Sequence, residues 1–162
     1  MACLRVWQLI GTLALLSCDC VAAANLQPGD DPQASPIWHK VRASLFEGRS
    51  ITAAPAELLT LEAPARAIDS AVVPIAIRTQ FPRQATHPIS RLYLIIDANP
   101  SPIAAIFQFT ADSGRPDIET RVRIDAYSHV RVIAETSDGQ LFMATRFVKA
   151  SGGCSAPAGS DA

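Results

Sequence analysis

The chain carries no excess charge of either sign: 14 Lys and Arg stand against 15 Asp and Glu in 162 residues, a net charge of -1. A nucleic-acid footprint of clustered cations is therefore excluded, and with 49% apolar residues so is a charge-rich disordered chain. Histidine is scarce. His39, His87 and His129 form no i, i+4 pair and have no cysteine at metal spacing, which argues against a zinc site and for solvated or packing roles. The sequence has no G-x-S-x-G elbow, no P-loop and no G-x-G-x-x-G. Asp112 and Asp117 flank Gly114-Arg115-Pro116, where turn formation and solubility explain both carboxylates without catalysis. The length excludes a large multidomain enzyme. One domain of this size buries about two thirds of the surface its unfolded chain exposes, so it needs no disulfide or metal to hold a core. The four cysteines need another explanation.

Residues 1–24 read as a secretory signal. Arg5 precedes an apolar run from Val6 to Leu16, followed by Ser17, Asp19 and then Ala22-Ala23-Ala24, the pattern of n-region, h-region and A-x-A cleavage site. The run has 11 residues, too short for a bilayer, which takes about 20. Leu15-Leu16-Ser17-Cys18 offers a second reading, a lipoprotein site with Cys18 as the lipid-bearing terminus. Cleavage after Ala24 removes Cys3, Cys18 and Cys20 and leaves Cys154 alone. A single thiol in an exported domain cannot close an internal disulfide.

Residues 25–35 are rich in Pro, Asp, Gly and Gln and read as a disordered leader. Ser35-Pro36 then opens a helix: Ser35 caps, Pro36 suits the first helical position, and Ile37, Trp38, Val41, Leu45 and Phe46 fall near one face before Gly48. Trp38 is expected to pack against the domain. Beyond it the period becomes two, with strands expected over Glu57–Glu62, Ala71–Thr79, Arg91–Asp97, Ile103–Thr110, Glu119–Asp125, Val130–Thr136 and Gln140–Lys149. Val122 and Ile124 should point inward and Arg121 and Arg123 outward, and Asp138-Gly139 supplies a hairpin turn. Seven short strands without intervening helices argue for an all-β, immunoglobulin-like antiparallel sandwich over residues 36–149.

Residues 150–162 are small and polar, with Gly152-Gly153 before Cys154, and predict a flexible arm bearing a thiol. The five residues from Lys149 to Cys154 reach about 17 Å when extended. Side-chain-free glycines let such an arm enter a narrow channel of another protein, as a carrier requires. A thiol of ordinary pKa, about 8.5, is only a few per cent ionised at neutral pH, so a partner enzyme has to activate it. Cys154 makes a poor nucleophile for an enzyme acting alone, because no structure follows it to build an oxyanion hole.

The set Trp38-His39-Lys40-Val41-Arg42, Leu45-Phe46-Glu47-Gly48, Val72-Val73-Pro74-Ile75-Ala76-Ile77, Leu94-Ile95-Ile96-Asp97-Ala98-Asn99-Pro100 and Gly152-Gly153-Cys154 resembles SoxY, the sulfur-carrying subunit of periplasmic thiosulfate oxidation. The likeness is closer to SoxYZ-like carriers associated with quinoprotein dehydrogenases. It implies an immunoglobulin-like, non-enzymatic carrier without cofactor that holds sulfur intermediates covalently on Cys154 and presents them to sulfur-oxidising or quinoprotein enzymes. It also implies a SoxZ-like partner subunit, expected on a separate chain, and a periplasmic location. Thiosulfate carriers of the family end Gly-Gly-Cys-Gly-Gly, whereas Ser155-Ala156-Pro157 follow Cys154. That departure shifts weight toward the quinoprotein-associated branch. Two other classes remain as alternatives: a purely adhesive immunoglobulin-like module with an inert tail, and a thiol enzyme acting alone.

Overall fold

The computed structural model describes residues 31–80, 87–110 and 112–150. Helix α1, Pro36–Phe46, begins where expected. The Ser35 hydroxyl accepts a hydrogen bond from the Trp38 amide at 3.2 Å, satisfying one of the orphan donors of the first turn. The helix stops at Glu47, which adopts a left-handed conformation at φ 47°, followed by Gly48 at φ 78°. This reversal turns the chain into a strand that the period-two pattern does not reveal, β1 at Ile51–Ala53.

Seven further strands follow: β2 Leu59–Glu62, β3 Val73–Thr79, β4 Ile89–Ile96, β5 Ile103–Gln108, β6 Ile118–Val122, β7 Ser128–Thr136 and β8 Leu141–Val148. They lie within two residues of the expected spans at nearly every end, with β6 closing at Val122 rather than Asp125. Two sheets form, one ordered β1-β8-β7-β4-β5 and the other β2-β3-β6. The architecture is the expected all-β sandwich, with one correction. β1 pairs with β8 in parallel, Ile51 opposite Leu141, because it enters the edge of the sheet from α1 and not from a hairpin. At the β7–β8 turn Gly139 takes φ 86°, as the Asp-Gly pair predicts.

Alternation divides the residues of β4 and β7 between two cores. Leu92, Leu94, Ile96, Val130, Val132 and Ala134 face the smaller sheet and meet Leu61, Val73, Ile75 and Ile77. Tyr93, Ile95 and Ile133 face the other way, beneath Trp38, Val41 and Phe46 of α1. Every residue of β7 is buried because both its faces are covered. Phe46 sits edge-on to Tyr93 with ring centroids 5.1 Å apart, and Trp38 is 1% exposed, so it packs as expected. Ile124 is fully buried while Arg121 and Arg123 are exposed.

Candidate functional site at the end of the sandwich

The residues that the sequence nominates for chemistry, Cys154 with Gly152 and Gly153, lie outside the described residues, as do the predicted signal and most of the leader and arm. The fold does define where the chain is delivered to them. β8 runs antiparallel to β7, so its last residues, Phe147 and Val148, sit opposite His129 and Ser128. The Lys149 amide then donates to the Ala65 carbonyl at 2.9 Å, and the Lys149 carbonyl accepts from the Ala67 amide at 3.1 Å. Ala150, assigned above to the arm, is 1% exposed and belongs to the core. The anchored chain thus extends to four residues before Cys154.

The same end of the sandwich holds a buried ion pair. Arg131 is fully buried, and its Nε donates to Asp97 Oδ1 at 2.9 Å while Nη2 donates to Oδ2. Nη2 also donates to the Pro32 carbonyl at 2.6 Å, and the guanidinium lies over the Trp38 ring, 4.5 Å from its centroid. One buried cation therefore ties the sheet, the helix and residue 32 together. Part of the predicted leader is consequently held against the domain. Sequence reasoning did not find this pair. Arg131 stands at an outward position of a strand, and only the helix lying over that face buries it.

A cleft of about 340 Å³ opens beside the pair, lined among others by Ile37, Ala98, Tyr127, His129 and Phe147. His129, one of the three candidate histidines, is buried at 7% exposure with its ring 4.9 Å from that of Phe147, a packing role. His87 is exposed and lies 3.9 Å from Asp138, and His39 is exposed on α1. Among the described residues no group of three His, Cys, Asp or Glu is placed to hold a metal ion. Asp117 accepts from the Thr79 amide at 2.7 Å, a structural role, whereas Asp112 is exposed.

At the opposite end of β7, Glu135 gathers Arg49 Nη1 at 2.7 Å, Tyr93 Oη at 2.6 Å and Arg91 Nη1 at 3.2 Å. Burial opposes ionisation of this carboxylate, but the hydrogen bonds from Arg49 and Tyr93 outweigh it and hold its pKa below the ordinary value. Burial, reinforced by the bond to Glu135, pushes the Tyr93 phenol up. The cluster clamps the C-terminal end of α1 to the sheet. A second, broader cleft of about 630 Å³ lies on the outer face of the three-stranded sheet, between Glu62, Arg78, Glu119 and Arg121. Arg78 and Glu119 form an ion pair across it. No described helix is long and apolar enough to cross a membrane.

The family model described as sulfur oxidation protein SoxY matches residues 42–154, a span that runs from α1 through the sandwich to Cys154. The chain belongs to the SoxY family. It is accordingly a carrier protein of sulfur oxidation and not a catalyst, and SoxY proteins work with SoxZ. No curated protein sequence matches the chain. Among solved structures, the superoxide reductase (neelaredoxin) from Ignicoccus hospitalis matches at 16% identity and TM-score 0.51, over 58% of this chain and 80% of that one. A putative superoxide reductase from Thermotoga maritima matches at 12% identity and TM-score 0.53, over 66% of this chain and 97% of that one. These likenesses show the sandwich fold alone. The SoxY match, by contrast, reaches the cysteine that the sequence singles out.

Proposed function

We propose that this SoxY family member carries sulfur intermediates covalently on Cys154, presented on the Gly152-Gly153 arm to client enzymes after export to the periplasm. The observation that carries the reading is the extension of the family match to residue 154 together with the firm anchoring of the chain up to Ala150. A rigid mount followed by a short glycine-bearing segment gives a thiol a fixed origin and a limited range. In the loading step with thiosulfate, the Cys154 sulfur bonds to the sulfane sulfur, the thiol proton is released and two electrons pass to a partner oxidoreductase. Export by the N-terminal signal places the protein in a compartment where Cys154 is the remaining thiol after cleavage following Ala24, or is accompanied by Cys20 if Cys18 is the lipidated terminus. The sandwich serves as the docking body for a SoxZ-like subunit on a separate chain.

A second reading is favoured by Ser155-Ala156-Pro157, which replaces the glycines expected after the cysteine: a carrier serving a quinoprotein dehydrogenase system with another cargo. Replacing Cys154 by Ser and measuring thiosulfate consumption in cells that lack the wild-type gene tests the proposal. A folded Cys154→Ser protein should abolish oxidation. Full flux through the variant would leave an inert immunoglobulin-like module, and lost quinoprotein-dependent oxidation with normal thiosulfate use would select the second reading.

A further inference from the structure

Of the strand edges that the two sheets leave, three are guarded against further pairing. β1 is only three residues long, β2 ends on Glu62 with its Leu61 carbonyl taken by Arg146 Nε at 3.0 Å, and β6 carries Glu119 and Arg121. β5 has none of these devices. It ends the five-stranded sheet over Ile103–Gln108, and the sequence holds no charged residue between Asp97 and Asp112. Its outer groups follow from its pairing with β4: the Phe109 amide donates to the Ser90 carbonyl at 2.9 Å, and the register sets Phe107 against Leu92 and Ala105 against Leu94. Successive residues of an antiparallel ladder turn their amide and carbonyl to opposite sides, so those of Ile106 and Gln108 face away from the sheet. Among the described residues no strand pairs with them there. The open stretch is bounded at both ends. Ala104 lies at the register shift opposite Leu94 and Ile95, while the Thr110 amide donates to Ser113 Oγ at 2.9 Å and its carbonyl accepts from the Ser113 amide at 3.0 Å.

We propose that β5 pairs antiparallel with β5 of a second copy of this chain, about a twofold axis at Phe107. The inference does not rest on the carrier reading. A row of open amides and carbonyls is matched by another extended strand, and self-pairing fits the bounded stretch. With the axis at Phe107, each Ile106 amide donates to a Gln108 carbonyl of the other copy and each Gln108 amide to an Ile106 carbonyl, so neither Ala104 nor Thr110 is needed. The side chains agree. Phe107, half-buried against the core, meets its own copy as an aromatic pair, and on the helix side Ile106, 45% exposed beside Tyr93, covers Gln108 of the second copy. An uncharged strand opposes no like charges when it meets itself, whereas a charged partner strand would find no counter-charge between Asp97 and Asp112. The two five-stranded sheets become one continuous sheet. Pairing consumes the open edge of both copies and the remaining edges are guarded, so association closes at two and does not run on into a fibre.

The test introduces Ile106→Cys and Gln108→Cys singly into full-length chains whose four cysteines are replaced by Ser. Directly opposed residues of a hydrogen-bonded pair lie about 5.5 Å apart at Cα, inside the span of a disulfide, whereas diagonal neighbours lie about 7 to 8 Å apart, outside it. Diamide takes two electrons and two protons from each thiol pair as the sulfur–sulfur bond forms. In an equimolar mixture, disulfides joining the two variants should therefore form at least about fivefold faster than those joining like chains, timed by peptide mass mapping. Equal rates, or faster closure within one variant, overturn the proposal. In parallel, sedimentation equilibrium of the four-Ser chain from about 10 µM to about 1 mM, the range suited to so small an interface, should show monomer and dimer in exchange. Ile106→Lys should weaken the dimer at least about tenfold, and Ile68→Lys, at a fully exposed residue of the loop between β2 and β3, should leave it unchanged. A chain that stays monomeric throughout leaves the edge to another subunit and overturns self-pairing. No loss in Ile106→Lys, or equal losses in both variants, does the same.

Discussion

Replacing Asp97 by Ala should be among the most damaging changes in the domain. The substitution leaves the Arg131 guanidinium buried with the Pro32 carbonyl and the Trp38 ring as its remaining partners. Nη1 already lacks a hydrogen-bond acceptor, so two of the three hydrogen bonds that the guanidinium donates disappear at once. At a separation of about 4 Å and an effective dielectric of about 20, the lost attraction is roughly 4 kcal/mol. Stranding one partner of a buried pair costs about 3 to 5 kcal/mol in measured cases, in agreement. With a urea m-value of about 2 kcal/mol per molar, the unfolding midpoint should fall by roughly 2 M. Urea titrations followed by far-ultraviolet circular dichroism measure it. The double variant Asp97→Leu with Arg131→Met, which removes both charges and keeps apolar volume, should recover most of the loss. A single-variant loss below about 1 kcal/mol, or a double variant no better than the single, would refute the assignment of Arg131 as a buried, pair-dependent cation.

Glu135→Gln should cost about 1 to 3 kcal/mol, because Arg49 and Arg91 lose their charged acceptor, and should loosen α1. Since the Glu135 pKa is lowered on folding, its contribution is complete above the ordinary carboxylate value and is lost as pH falls through the folded one. The stability gap between wild type and Glu135→Gln should therefore shrink in urea titrations taken from pH 6 down to about pH 3. Phe46→Ala, at a fully buried site edge-on to Tyr93, should cost about 3 to 5 kcal/mol by the same titration. Ile106→Lys, at a 45% exposed position of edge strand β5, should change stability by less than about 0.5 kcal/mol.

The sandwich was legible because most strands have one buried and one exposed face, and Val122, Ile124, Arg121 and Arg123 alternate as that requires. Strand β1 was hidden: three residues at a sheet edge, with burial that does not alternate, carry no period-two signal. Its parallel pairing follows from α1 crossing the outer face, which local pattern does not report. Neither Arg131 nor Glu135 stands out in the sequence, for the same reason: the helix that covers them is more than eighty residues away. Cys154 is nominated from the sequence alone: a thiol after paired glycines needs no tertiary information to be noticed. The cleft beside the chain end was not legible, because Ile37, Ala98, Tyr127 and Phe147 converge only once β4, β7 and β8 are paired.

The central claim is that Cys154 bears the cargo. Purified protein incubated with thiosulfate and a sulfur-oxidising extract, then digested and sequenced by tandem mass spectrometry, should show a sulfur adduct on the Cys154 peptide that reductant removes and that Cys154→Ser lacks. A Cys154 peptide that stays unmodified while the extract consumes thiosulfate would contradict the account.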